Sequence, residues 1–111
     1  MLATQSSPFG GRTRTRAIIA LRLLGESYPR EVARLIDSAL FGVQKALAGL
    51  ERDGLVASQM VGRTRLYRLN PRYFALAELV PFLDRLAESE TEIRSRAGTL
   101  RRRPRRPGKR L

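Results

Sequence analysis

The stretch "GRTRLYRLNP", residues 62 to 71, places Arg63, Arg65 and Arg68 among Leu66, Tyr67 and Leu69. A guanidinium offers forked N–H donors and a permanent charge, so this clustering suits an oxyanion partner such as phosphate. A buried strand would not carry three arginines, and a flexible loop would not carry so much apolar bulk. A projection with an apolar base and a charged tip needs both. Glycine at the first central position is what a type II′ hairpin turn requires. The segments "LVASQMV" and "TRLYRL" therefore read as two strands joined at Gly62 and Arg63, with Val61 opposite Thr64 and Val56 opposite Leu69. Tyr67 and Leu69 then lie near the base, while Arg63 and Arg65 lie towards the tip. Thr64 adds a hydroxyl donor, and Arg68 is a further candidate for phosphate contact.

A second group of recognition-competent side chains lies upstream. Leu40, Val43, Leu47 and Leu50 fall within an arc of about 80° at helical periodicity, a core-facing stripe on a helix of roughly residues 39 to 53. Phe41, Lys45 and Arg52 point the other way, with Gln44 on the flank. A glutamine amide pairs with adenine, a lysine with guanine or phosphate, and an aromatic ring with a thymine methyl. Ser38 and Gly42 belong to the same segment. Gly42, Ala46, Ala48 and Gly49 make the helix poor in base-reading groups, which predicts weak sequence discrimination.

Other chemistry has few candidates. The chain has neither cysteine nor histidine, so it offers no thiolate, no imidazole and no nitrogen or sulfur metal ligand. Its ten acids are scattered among basic neighbours, and the expectation is a non-enzyme without metal or cofactor. The net charge of +12 over 111 residues points to a polyanion, most economically nucleic acid. That charge is uneven: nine of the 22 basic residues follow Glu92 with no acid among them, leaving thirteen bases against ten acids elsewhere.

The remaining elements position these groups. Residues 1 to 11 read as a flexible arm broken by Pro8, Gly10 and Gly11. Ala17, Ile18, Leu21 and Leu24 recur at helical spacing before Gly25, predicting a first helix over residues 12 to 24. Arg12, Arg14 and Arg16 open it, against the helix dipole, which favours an anionic partner there. Pro29 starts a short second helix carrying Val32, Ala33 and Ile36, with Arg30 as another phosphate candidate. Asp37 and Ser38 are expected to cap the third helix. Asn70 is expected to cap a final helix over residues 71 to 96, kinked or divided at Pro81. Its stripe of Leu76, Leu79, Val80, Leu83 and Leu86 predicts a homodimer interface. Residues 97 to 111 read as a disordered basic tail.

The fold class expected is mostly α with a small β-hairpin, a winged helix-turn-helix over residues 12 to 70. The segment "SYPREVARLIDSALFGVQKALAGLERDGLVASQMVGRTRLYRLNP" resembles the ArsR-like branch of bacterial winged-helix transcriptional regulators. The features that carry the resemblance are the short "EVARL" helix, the "LERDGLV" ending of the next helix and the wing signature "GRTRLYRLNP". The resemblance implies a dimeric repressor that binds double-stranded DNA, its third helix in the major groove and its wing on the backbone or minor groove. Metal-sensing members use cysteine or histidine ligands, so a non-metal-sensing relative is implied here. The rival expectation is a module, antitoxin-like or adaptor, that holds a protein partner through the same surface, with exposed Phe41 in its favour. In that case the tail would bind nucleic acid without sequence preference. No apolar run approaches the roughly 20 residues of a membrane span, and the N-terminus lacks signal-peptide order, predicting a cytoplasmic, nucleoid-associated protein.

Overall fold

The computed structural model describes residues 8–102. In chain order the elements are α1 (Arg12–Leu24), β1 (Glu26–Ser27), α2 (Pro29–Ile36), α3 (Leu40–Arg52), β2 (Val56–Val61), β3 (Thr64–Leu69), α4 (Leu76–Ala87) and α5 (Thr91–Arg102). The strands form one antiparallel sheet in the order β1-β3-β2. α1 lies at the centre, packed by α2, α3, α4, α5 and the sheet, which is why Ile18, Ile19 and Leu21 are fully buried.

The termini of the first three helices are set by local chemistry. Gly25 takes φ 89° and returns its N–H to the Leu21 carbonyl at 2.7 Å. Pro29 occupies the first turn of α2, as its missing N–H allows. α2 closes in a Schellman motif: Asp37 adopts φ 55°, Asp37 N–H bonds Arg34 O, and Ser38 N–H bonds Ala33 O. Asp37 is thus the left-handed stop of α2 and not a cap of α3. The N-cap of α3 is Ala39, with no side-chain hydrogen bond, so Ser38 does not cap it either. α3 ends in a second Schellman motif around Gly54, at φ 84°.

The hairpin has the expected register, Val61 opposite Thr64 and Val56 opposite Leu69. Gly62 sits at φ 65° while Arg63 keeps a negative φ, the signs a type II′ turn requires. A Cβ at Gly62 would meet nothing within 4 Å, so space is not the constraint there. Gly62→Ala should nevertheless destabilise the protein by about 1–2 kcal/mol through left-handed strain. An unchanged urea midpoint would show that the turn does not hold that conformation.

The C-terminal region departs from expectation. Asn70 caps a turn, accepting Arg72 N–H at 2.9 Å and donating to the Gly54 carbonyl at 2.9 Å, and α4 begins only at Leu76. Pro81 neither ends nor divides α4. The carbonyl it leaves without an amide belongs to Ala77, and both residues are exposed, so water can serve that carbonyl. The division comes at Glu88–Glu90, where consecutive tight turns bond Glu88, Ser89 and Glu90 N–H to Arg85, Leu86 and Ala87 carbonyls. This break folds α5 back so that Ile93 and Ala97 are buried. Helix therefore runs through Arg102, and the tail expected from residue 97 begins no earlier than the end of α5. Residues 1–7 of the expected arm and 103–111 of the expected tail lie outside the described residues.

Among the described residues, no helix is long and apolar enough to cross a membrane.

Candidate nucleic-acid interface

α2, α3 and the hairpin enclose an open groove of about 1070 Å³. Arg30 and Arg34 border it from α2, Gln44 from α3, and Arg63, Thr64 and Arg65 from the hairpin, with Tyr28, Met60 and Tyr67 between them. Glu31 is the one acid in this lining, and its carboxylate already accepts the buried Ser27 hydroxyl at 2.6 Å. Arg30, Arg34 and Arg63 make no ion pair among the described residues. The groove therefore presents four guanidinium groups with little to neutralise them, which favours an anion with spaced oxygens.

Distance from the tip, together with strand alternation, separates the hairpin's arginines. Met60, Arg65 and Tyr67 share one face of the hairpin, and Val61, Thr64, Leu66 and Arg68 share the other. Arg68 accordingly lies beside Leu21, Arg22 and Gly25 in a separate small pocket. Of the four wing residues expected to meet DNA, it is the one that does not border the groove. Arg65 is held in advance: it donates to Ser58 Oγ at 2.9 Å, and Ser58 donates to Glu51 at 2.8 Å. Below it, burial, aided by the nearby Glu51 charge, pushes the Tyr67 hydroxyl above its ordinary pKa, so it remains a neutral donor at physiological pH.

α3 presents Phe41, Gln44 and Lys45 to solvent. Phe41 is 72% exposed, so it does not pack on α2. The Lys45 ammonium lies 5.7 Å from its ring centroid, a cation–π contact. Gly42 is half-buried with open space where a Cβ would stand, whereas Ser38 is half-buried in the turn before α3. Two of the small residues that made the helix look poor in recognition groups face inward. Ala46 and Gly49 are buried, and a Cβ on Gly49 would approach Arg14 Cζ to 3.2 Å. Their smallness serves helix packing and says nothing about base reading.

That neighbour of Gly49 is a further correction. Arg14 passes Gly49 to pair with Asp53 at the end of α3, so it is committed internally and is not a free phosphate ligand. Arg16 is also committed, to the Ile36 carbonyl at 3.0 Å and to Glu90 at 3.5 Å. Arg12 is exposed but lies outside the groove. Arg34 escaped the sequence reading, although its spacing of four from Arg30 puts both on one helical face.

The expected dimer stripe is largely spent within the protomer. Leu83 is fully buried and Leu79 nearly so, leaving no surface for a second copy. Leu76 and Leu86 are half-buried against the same core, and Val80 is half-buried. The apolar surface left near α4 is aromatic: Phe74 is 92% exposed, and Phe82 meets Phe9 in a tilted pair with ring centroids 5.9 Å apart.

No protein-family model matches the chain, and no curated protein matches it. Solved structures do. An apo form of a double mutant of Lactococcus lactis ZitR, a winged-helix regulator, aligns with a TM-score of 0.53 at 23% identity, covering 79% of this chain. Another structure of that mutant aligns with a TM-score of 0.55 at 21% identity, covering 90%. The fold is a winged helix-turn-helix. A likeness at this identity is one of fold, and the chain spans 64% and 66% of the length of those two chains. In the terms of that fold, α2 and α3 are the helix-turn-helix, α3 is its second helix and β2–β3 is the wing.

Proposed function

We propose that this protein is a duplex-DNA-binding transcriptional regulator, a cytoplasmic and nucleoid-associated repressor acting as a homodimer. One observation carries the reading: Gln44 of the recognition helix and the wing tip border a single groove whose arginines come from α2 and the wing. An α-helix with its side chains is about 10–12 Å across and fits a major groove about 12 Å wide. In that pose Gln44, Lys45 and Phe41 read base edges, Arg63 and Arg65 take backbone or minor-groove oxygens, and Arg30 and Arg34 take the flanking phosphates. One good bidentate pair discriminates by only about 1–3 kcal/mol, so a twofold partner doubling the contacts suits a specific operator. The half-buried and exposed apolar groups of α4 are the surface for that partner. No metal or catalytic role enters this reading; among the described residues no group of three potential ligands is gathered.

A second reading has its own support. Phe41, Met60 and Val61 are exposed large apolar side chains on the recognition helix and wing, which suits a protein partner. In-vitro selection of the full chain against a randomised duplex library at physiological salt separates the two. The regulator should enrich an inverted repeat with half-sites about 10–10.5 base pairs apart, or a multiple. Retention of duplex without enrichment, abolished by salt, would reject sequence-specific regulation and leave the basic C-terminal residues as the binder.

A further inference from the structure

Two arginines outside the basic groove converge on one place. Arg16, on α1, donates from Nη1 to the Ile36 carbonyl at 3.0 Å, and Arg96, on α5, donates from Nη1 to the adjacent Leu35 carbonyl. Leu35 and Ile36 form the last turn of α2, where carbonyls lack intrahelical partners and carry the negative end of the helix dipole. A carboxylate steadies each guanidinium: Arg16 Nε lies 3.5 Å from Glu90, and Arg96 Nη2 donates to Glu92 at 3.2 Å. Both acids sit where α4 turns into α5. Beyond Ile36 only Asp37, Ser38 and Ala39 precede α3, and Asp37 is already fixed in the left-handed region. So short and constrained a turn lets the end of α2 set the direction in which α3 leaves.

We propose that Arg16 and Arg96 are positioning residues of the helix-turn-helix: they clamp the last turn of α2 to α1 and α5 and so fix the angle at which α3 meets DNA. The purpose of the clamp rests on the DNA-binding reading, but the clamp itself belongs to the free protein. Neither arginine borders the basic groove. α5, anchored by buried Ile93 and Ala97, thereby becomes part of the reading head, and a change that lifts it from α2 also loosens α3.

The test compares full-length Arg96→Ala, Arg96→Lys and Arg85→Ala, the last removing the same charge from an exposed pair with Glu88. Amide hydrogen exchange in the free protein is read at Asp37 and Ser38, whose N–H groups close α2. Losing a charge-assisted bond at that turn should speed exchange there about tenfold or more in Arg96→Ala. Arg96→Lys, which keeps a cationic donor, should recover most of the protection, and Arg85→Ala should match the wild type. The affinity ratio of the selected duplex over a scrambled one should fall about tenfold in Arg96→Ala, with scrambled-duplex affinity no lower than in Arg85→Ala. Unchanged exchange at Asp37 and Ser38 overturns the clamp whatever the DNA data show. Faster exchange spread evenly through α1 and the core assigns Arg96 a general structural role and also overturns it. Faster local exchange with an unchanged affinity ratio overturns the positioning role. If the wild type selects no duplex, the DNA reading fails by itself, and the exchange data still decide whether the clamp exists.

Discussion

Replacing both Arg63 and Arg65 by alanine should weaken binding to the selected duplex by about ten- to a hundredfold and lower the log–log salt slope by about two. The slope follows from counterion release, which contributes about 0.9 for each phosphate that an arginine neutralises. The affinity change follows from removing two charge-assisted bonds, each modest where salt and water compete. Stability should change little, because Arg63 is exposed at a turn and Arg65 gives up one bond to Ser58. The single variants differ in an informative way. Arg65 is held by the Ser58–Glu51 relay before any partner arrives, so less side-chain entropy is lost when it binds. Arg63 has no such support, and Arg65→Ala should therefore be the costlier single change. Fluorescence anisotropy across a salt series reads both quantities. A double variant with wild-type slope would remove the wing from the proposed DNA-binding surface and favour protein docking through Phe41, Met60 and Val61.

Much of the fold was legible because local chemistry dictated it. Gly62 fixed the hairpin register, since only a residue tolerant of positive φ fits that turn and the strands then have one pairing. The stripe of Val43, Leu47 and Leu50 named the buried face of α3 and, by elimination, its exposed one. The separation of Arg68 from Arg65 is also legible, since a period of two puts it on the opposite face. Arg14 and Arg16 were not legible, because their partners Asp53, Ile36 and Glu90 lie 20 or more residues away and are brought together only by tertiary packing. β1 is two residues long and too short to leave a pattern. The break before α5 has no proline or glycine to mark it; it is placed where Glu90 meets Arg16 and where Ile93 and Ala97 reach the core.

The stripe on α4 shows most plainly what periodicity leaves open. Amphipathic spacing says that a face is covered but not by what, and here much of the cover is the chain's own core, with α1 packed against α4. Leu83→Ala tests this. Leu83 is fully buried, so truncation should cost about 2–5 kcal/mol through the forfeited transfer energy and the cavity left behind. For a domain with total stability of about 5–15 kcal/mol, that loss leaves the variant marginal and moves its urea midpoint sharply. The shift should be the same at low and high protein concentration, because packing within one chain does not obey mass action. An interface leucine would behave otherwise, with a small loss in the dilute monomer and a larger one where dimers prevail. Neighbouring Asp84 gives a control on the same helix: it pairs with Arg22 of α1 through two hydrogen bonds, and the Arg22 bond holds its carboxyl below the usual range. Half-exposed, that pair contributes at most about 1 kcal/mol. Loss of Leu83 should therefore far outweigh loss of Asp84, since α4 is held chiefly by burial and only secondarily by charge.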